Sequence, residues 1–156
     1  MTMSGTLYRY LADQEVTFDL VTHPRSATSL ETARLAHVPA DCVAKPVLLE
    51  DEQGYLMAVI PASHRLDLGE LDRQLNRHLE FAPEAEIAGL FEDCEPGAMP
   101  PVGAPWGIPE VVDDRLAEQA EVWFEAGDHE QLVHMNGETF AQVMGDARFG
   151  RFSEHL

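Results

Sequence analysis

The chain has 156 residues, with 28 Asp and Glu against 10 Lys and Arg, and its formal net charge is −18. The length fits one domain with a real hydrophobic core, and an apolar fraction of 45% excludes a disordered chain. The acidity argues against a DNA-binding protein, because broad capture of a nucleic-acid backbone needs clustered Lys and Arg. A small basic pocket for one phosphate or one RNA end remains compatible with this charge.

No stretch of the chain is apolar over the length that a membrane span needs, and the N-terminus lacks a basic segment followed by an apolar one. We therefore expect a cytoplasmic protein with no membrane partner. Cys42 and Cys94 are too few for a disulfide scaffold and lack CxxC spacing, so both are expected to be reduced. The acidic neighbours of Cys94 also argue against a reactive thiolate there.

In chain order, the first half of the sequence predicts short helices alternating with strands. Thr28-Ser29-Leu30-Glu31 has the form of a capping box, which opens a helix. An apolar strand around Lys45 is followed by turn residues 51–54 and by a hairpin partner that Pro61 ends. The predicted elements are a helix at 4–13, a strand at 16–21, a helix at 28–36, a strand at 43–49 and a strand at 56–60.

The second half begins with Asp67, the cap of a further predicted helix, and contains a stiff loop at 95–109 that is rich in Pro and Gly. Asn136 is the predicted cap of the last helix, and residues 146–156 are expected to form a polar, loosely held tail. The other predicted elements are a helix containing Leu68, Leu71 and Leu75, a strand at 79–82, a helix at 83–91, and strands at 110–113, 121–125 and 131–135.

The predicted strands outnumber the helices, and the helices interrupt them irregularly. This order indicates an α+β fold around one mixed sheet rather than a doubly wound βαβ repeat. No linker is long enough to divide the chain, so residues 1–156 are predicted to form a single domain.

Lys45 is the only lysine in the chain, and it lies inside an apolar strand. All nine other cations are arginines, which suggests that this position needs a compact ammonium or an amine with a shiftable pKa. The alternative is a structural lysine whose stem packs while its head reaches water. The strand by itself leaves both interpretations open.

The segment Gly97-Ala98-Met99-Pro100-Pro101 is the second informative feature. Small residues and Pro fix its backbone, which leaves the amides of Gly97, Ala98 and Met99 available to a ligand oxygen. Preorganised amides of this kind stabilise a developing oxyanion. The alternative is a surface loop without a ligand, and composition alone favours that alternative.

Seven histidines are present, but none forms an HxH or HExxH pair, so no metal site is predicted. His23, at a strand end before Pro24, and His134, inside the last predicted strand, are the candidates for a general base or a hydrogen-bond partner. Asp113 and Asp114 form either a carboxylate pair or, more commonly, the cap of a following turn.

These motifs, in this order, resemble the YbaK family of aminoacyl-tRNA editing domains, which also occurs inserted in bacterial prolyl-tRNA synthetases. The resemblance covers about residues 6–145 and implies a mixed sheet that is partly barrel-like and flanked by short helices. It rests on His23-Pro24, on Thr28 opening a helix, on Val43-Ala44-Lys45, on the segment from Asp93 to Gly103 with its G-x-x-x-P loop, and on Val111-Val112-Asp113.

The resemblance implies a trans-editing deacylase that hydrolyses the ester between a wrong amino acid and the 3′ end of a tRNA. The implied substrate is tRNA-Pro, or another tRNA, mischarged with a small amino acid. Lys45 is implied to engage the phosphate or ribose of the terminal adenosine, while the loop from Gly97 through Ala98 and Met99 to Pro101 holds the ester carbonyl. A water attacks with help from a substrate hydroxyl, and no metal or other cofactor is needed.

The resemblance places the amino-acid pocket near Ala27, Thr28 and Ser29, with His23 beside it. A histidine near the chain end assists some family members, and both His129 and His134 are candidates here.

The implied partners are the 3′ end of an aminoacyl-tRNA and, as a source of RNA affinity, an aminoacyl-tRNA synthetase or an elongation factor. The alternative function is a non-catalytic binding module that senses an aminoacyl-adenosine-like ligand. Pro46 favours it, because several family members have Asn or Thr directly after the lysine and proline removes both a polar side chain and a backbone N–H. The acidic surface favours it as well.

Overall fold

The structure, a computed structural model, describes residues 3–156, which form six α-helices and ten β-strands. Two short 3-10 turns, Ala40–Cys42 and Ala104–Trp106, complete the regular structure of this part of the chain. The helices are α1 (Gly5–Asp13), α2 (Ser29–Leu35), α3 (Leu68–Leu75), α4 (Glu84–Leu90), α5 (Asp114–Ala117) and α6 (Gly137–Met144). The strands are β1 (Asp19–Thr22), β2 (Ala44–Asp51), β3 (Gly54–Pro61), β4 (His64–Leu66), β5 (Glu80–Phe81), β6 (Glu110–Asp113), β7 (Glu121–Glu125), β8 (Gln131–Asn136), β9 (Arg148–Gly150) and β10 (Ser153–His155).

The strands divide into three sheets rather than the one sheet that we expected. The largest has the order β5-β2-β3-β6-β9, with an antiparallel β2–β3 hairpin and parallel pairing from β3 to β6 and from β6 to β9. The second has the order β1-β8-β7, and the third pairs β10 with β4. Among residues 3–156, the backbones of the two larger sheets pair with each other only at a parallel bridge between Val43 and Trp123, so the barrel is not closed. The α+β class is confirmed.

The main hydrophobic core draws on both larger sheets and on α1 and α6, with Leu7, Met57, Phe124 and Phe140 among its fully buried members. A second core lies on the other face of the five-stranded sheet, where Ile60 of β3 packs with residues of α3 and the chain end. Since β3 contributes to both cores, its residues from Leu56 to Pro61 are all buried. β3 is therefore the central strand of the fold, and elements pack on both of its faces.

The predicted helix starts are confirmed by their hydrogen bonds. The Thr28 hydroxyl accepts from the Glu31 amide at 3.1 Å, and the Asp67 carboxylate accepts from the Glu70 amide at 3.0 Å. Asn136 caps α6 in the same way. A side-chain acceptor at this position satisfies an amide that has no partner inside the helix, which is why short polar residues there are a strong local signal.

Several predicted boundaries were wrong. The first strand begins at Asp19 instead of residue 16, and the short helix α5 was missed. Its start explains the two adjacent aspartates: Asp113 caps α5 by accepting from the Arg115 amide, and it binds the Arg115 guanidinium at 2.9 Å. The Asp113–Asp114 sequence is therefore a cap rather than a catalytic carboxylate pair.

The tail was expected to be loosely held, but it carries β9 and β10 and is anchored in the core. Phe152 is buried in the second core, and the Ser153 hydroxyl donates to Asp113 at 2.8 Å. The Arg115 guanidinium also donates to the Ser153 carbonyl at 2.6 Å. Strands of three residues are too short to give a clear alternation in sequence, and only these distant partners reveal them.

Within residues 3–156, no helix is both long enough and apolar enough to cross a membrane.

Candidate active site

The loop from Gly97 to Pro101 is held in a defined shape by its neighbours. Gly97 has a φ of 83°, a backbone conformation that residues with a side chain rarely adopt. This conformation explains why glycine is favoured at this position. The Glu95 amide donates to the carbonyl of Gly127 at 2.8 Å and so ties the start of the loop to the β7–β8 turn. Pro100 and Pro101 are both buried and fix its other end.

The three loop amides are not equivalent. The Ala98 amide donates to the carbonyl of Glu95 at 3.0 Å, so it is already used inside the loop rather than available to a ligand. Among residues 3–156, no acceptor is recorded for the amides of Gly97 and Met99. Of the three amides that the sequence assigned to a ligand, those of Gly97 and Met99 are therefore available.

His129 braces this loop from the β7–β8 turn. Its Nε2 lies 2.6 Å from the carbonyl oxygen of Pro96, an arrangement in which Nε2 carries the proton and donates. A Cβ added to Gly97 would lie 3.4 Å from the His129 ring. The turn itself is closed by Asp128, whose carboxylate accepts from the amides of Glu130 and Gln131. His129 thus supports the loop through the residue that precedes Gly97.

His134, the other histidine candidate, lies in β8 away from that loop. Its ring stacks on Trp123 with centroids 4.7 Å apart, and its Nδ1 lies 2.8 Å from an Asp19 oxygen. These contacts belong to the surface of the three-stranded sheet. A role of His134 in substrate binding stays a prediction.

Glu125, at the end of β7, is the site residue that the sequence did not reveal. The residue is only 7% exposed, and its Oε1 accepts from the Thr32 hydroxyl at 3.3 Å. Its Oε2 is buried and has no hydrogen-bond partner among the described residues. Burial raises the pKa of Glu125 to about 7, although the Thr32 hydroxyl and the nearby His129 backbone N–H lower it. The carboxyl is therefore partly protonated near neutral pH.

His23 faces this carboxyl from the end of β1. Its Nδ1 lies 2.8 Å from the Pro24 carbonyl, so Nδ1 carries the proton and Nε2 is left with a lone pair. That Nε2 lies 3.7 Å from Glu125 Oε1 and is itself buried without a partner in the described chain. The two side chains therefore face each other in a buried position without a direct hydrogen bond between them.

Hydrogen bonds join Glu125 to α2, and the backbone of His129 lies close to its other side. The hydroxyls of Ser26 and Thr32 bond to each other, Thr32 donates to Glu125, and the nearby backbone N–H of His129 lowers the pKa of Glu125. The His129 ring then holds the Pro96 carbonyl. The start of α2 and the loop are therefore connected by side chains that are mostly buried.

Two neighbouring cavities open beside this network. The first, of about 460 Å³, is lined by Arg25, Ser26, Ala27, Glu31, Pro96 and His129. The second has a similar volume, shares Glu31 and includes Thr28 in a mainly apolar lining. Ser29 begins α2 and lines neither of them. Of the three predicted pocket residues, Ala27 thus lies closest to the loop.

Lys45 lies in β2 and is directed elsewhere. Its register partner is Ile60, a member of the second core, and its amine donates to the His64 carbonyl at 2.7 Å. Burial lowers the pKa of Lys45, since the half-buried ammonium has lost part of its hydration. Lys45 is absent from the lining of both cavities. One cavity therefore brings together Ala27, His129 and Pro96 at the start of the loop, and His23 lies near them at Glu125. The roles of Lys45 and His134 stay predictions.

Burial raises the pKa of Cys94 to about 12, which keeps this thiol protonated. Within residues 3–156, no three His, Cys, Asp or Glu side chains are grouped as metal ligands would be.

Comparison with known proteins gives the family. A family model described as the aminoacyl-tRNA editing domain matches residues 23–143. The chain belongs to the aminoacyl-tRNA editing domain family. The matched range includes the loop from Gly97 to Pro101, Glu125, and the two candidate histidines, His129 and His134. No match is found among curated proteins.

Solved structures share the fold of this editing domain over nearly its whole length. One, described as a proposed trans-editing enzyme for prolyl tRNA synthetase, is 24% identical with a TM-score of 0.84, and the match covers 97% of this chain and 96% of that one. A hypothetical protein is 23% identical with a TM-score of 0.83, covering 96% and 99%. A protein from an epitope-grafting design study is 23% identical with a TM-score of 0.79, covering 99% and 100%. At these identities the likeness establishes the fold alone.

The raised pKa of Glu125 predicts a pH dependence of stability. Between its ordinary value of 4.5 and about 7, the native state binds one more proton than the unfolded state. The free energy of unfolding therefore falls as pH rises through this window, by up to about 1.4 kcal/mol per pH unit. Urea unfolding from pH 5 to 7 is expected to give a shallower decline for Glu125→Gln than for the wild type.

The exposed Glu92 provides the control, and Glu92→Gln is expected to keep the wild-type slope. An unchanged slope in Glu125→Gln would contradict a buried, neutral Glu125.

Proposed function

We propose that this editing domain is a trans-editing deacylase that hydrolyses the ester of a mischarged tRNA, with tRNA-Pro or another tRNA carrying a wrong small amino acid as substrate. One observation carries the proposal: a loop with available amides at Gly97 and Met99 is braced at Pro96 by His129, and these two bracing residues also line an open cavity. Preorganised donors of this kind are what ester hydrolysis requires, because the carbonyl oxygen gains negative charge as the bond is attacked.

In the proposed reaction, the ester carbonyl oxygen accepts hydrogen bonds from the amides of Gly97 and Met99. A water attacks the carbonyl carbon, and its departing proton passes through a neighbouring substrate hydroxyl. The tetrahedral intermediate then collapses, the bond to the ribose oxygen breaks, and that oxygen takes the proton. Each preorganised donor contributes about 2.7–4 kcal/mol to such a step. No metal or cofactor takes part in this scheme.

The amino-acid side chain is proposed to enter the cavity at Ala27, beside Thr28 and Ser29, with His23 and Glu125 behind it. Its volume of about 460 Å³ is at the small end of ligand pockets, which suits a small amino acid. Lys45 is proposed to bind a phosphate or ribose of the terminal adenosine. A synthetase or an elongation factor is the proposed source of further RNA affinity. The proposed setting is translation in the cytoplasm.

A non-catalytic module that binds an aminoacyl-adenosine-like ligand is the second candidate. Two observations favour it. The Lys45 amine is engaged by the His64 carbonyl on the face of the second core, and Pro46 follows it in the strand. Such a protein would retain the cavity and the ligand but release no amino acid.

The test is deacylation of a panel of tRNAs charged with Ala, Cys, Ser or Thr, with the salt concentration varied because charge–charge contacts to RNA depend on it. The expected result is release from one or two members of the panel. Binding of a non-hydrolysable aminoacyl-adenosine by a folded protein that releases nothing would support the second candidate instead.

A further inference from the structure

A separate cavity of about 450 Å³ lies at the opposite end of the Pro/Gly loop, between α1, α6 and the turn before β6. Its polar lining consists of Tyr10, Gln14, Glu110, Gln142 and Asp146. None of its lining residues belongs to the two cavities beside α2. The proposed deacylation does not use this cavity.

Glu110 is the group that makes this cavity unusual. The residue is 9% exposed, and its Oε2 is buried with no hydrogen-bond partner in the described chain. Burial raises the pKa of Glu110 to about 8, although the nearby backbone N–H groups of Gly103 and Ala104 lower it. A buried carboxyl with an unpartnered oxygen costs stability unless something else compensates it.

The stem of Glu110 packs closely against the backbone of Gly103. A Cβ on Gly103 would lie 2.5 Å from the Ile108 carbonyl and 3.2 Å from Glu110 Cγ, so the Gly103 backbone is pressed against this side chain. Only glycine permits that approach. The local backbone therefore holds Glu110 in its position on the cavity wall.

The other polar groups of the cavity present acceptors. The Tyr10 hydroxyl donates its proton to the Val143 carbonyl at 3.2 Å, which leaves its lone pairs. Gln142 donates through Nε2 to the Gln14 carbonyl at 3.1 Å, which leaves its side-chain oxygen. Asp146 adds an exposed negative charge, and the lining contains no Lys or Arg.

We propose that this cavity binds a small organic cation, a primary amine of the size of a short diamine, with its ammonium paired to Glu110. An ammonium has three donors and no acceptor, which matches a wall that carries the Glu110 carboxyl and further acceptors. The surrounding charge of −18 attracts cations to the protein in general, while the cavity supplies a defined position. This inference is independent of the proposed deacylation.

The pairing predicts a linked proton release. Glu110 is largely protonated at pH 7, and an ammonium beside it favours its ionised form. One proton therefore leaves the carboxyl when the cation binds. The heat of binding is then expected to vary with the ionisation enthalpy of the buffer.

The experiment is calorimetric titration of the full chain with 1,4-diaminobutane at pH 7 in two buffers, with 1,4-butanediol as the neutral analogue. The wild type is expected to bind one diamine with release of a proton, and no binding of the diol is expected. Glu110→Gln is expected to weaken binding by about tenfold or more, since one charge-assisted hydrogen bond is lost. Glu118→Gln removes the same charge from an exposed side chain and is expected to bind as the wild type does.

Equal binding by wild type and Glu110→Gln, an equal loss in Glu118→Gln, equal binding of the diol, or no saturable binding would each overturn the proposal. If Glu110→Gln does not fold, the carboxyl carbon resonance of Glu110 in the wild type gives the answer. Its pKa is expected to fall when the diamine is present, and an unchanged pKa would overturn the proposal equally.

Discussion

Lys45→Ala is expected to reduce deacylation of the tRNA that the wild type hydrolyses by about 10²-fold or more, because misplacing a substrate by as little as 1 Å costs that much. Lys45 is the chain's only lysine, its half-buried ammonium has a lowered pKa, and its one recorded hydrogen bond is to the His64 carbonyl. An ammonium has three donors, so two N–H groups remain for a phosphate or ribose oxygen. The measurement is the single-turnover rate of amino-acid release.

Two variants separate the amine from the packing of its stem. Lys45→Met retains an unbranched apolar stem without the charge and is expected to be as inactive as Lys45→Ala, with a similar midpoint of unfolding. Arg65→Ala removes an exposed cation that is paired with Glu154, and it is expected to retain the wild-type rate. A Lys45→Ala protein that hydrolyses at nearly the wild-type rate would contradict the proposed role of this lysine.

Gly97→Ala is expected to lower the deacylation rate by about 10²–10³-fold, the effect of losing one oxyanion donor. The φ of 83° at Gly97 opposes any side chain, and a left-handed conformation costs an L residue about 1–2 kcal/mol. The loop relieves this strain by moving, which displaces the amides of Gly97 and Met99. The new methyl also contacts the His129 ring at 3.4 Å.

Gly107→Ala is the matched control. Gly107 also has a positive φ, of 70°, and open space where a Cβ would lie, but it belongs to the 3-10 turn beyond the loop. Its substitution is expected to cost a similar amount of stability while leaving the rate near that of the wild type. If both variants lose activity to the same degree, the effect is general destabilisation and the loop amides have no special role. Rates are compared after equal unfolding midpoints have been verified.

The buried pair of Glu125 and His23 gives these tests a structural context. The Glu125 carboxyl bonds the Thr32 hydroxyl of α2 and lies close to the backbone N–H of His129, whose ring holds the loop at Pro96. The same carboxyl carries the predicted pH dependence of stability. Deacylation by Glu125→Gln therefore reports on the positions of the loop and of the pocket together.

The sequence by itself determined the features that depend on near neighbours. The caps at Thr28, Asp67 and Asn136 were predicted because each side chain bonds an amide three residues further along the chain. The hairpin of β2 and β3 followed from apolar runs separated by turn residues. The absence of α-helix and strand from residues 95–109 followed from their Pro and Gly content.

The tertiary structure decided the features that depend on distant partners. Thr32 and Glu125 are 93 residues apart, and no local pattern reveals that this carboxyl is buried. The choice between His129 and His134 as the histidine beside the loop likewise depends on how β8 and its turn lie against the Pro96 carbonyl. A residue's burial, and with it the pKa of a carboxyl, is set by the elements packed against it, which the order of residues along the chain does not specify.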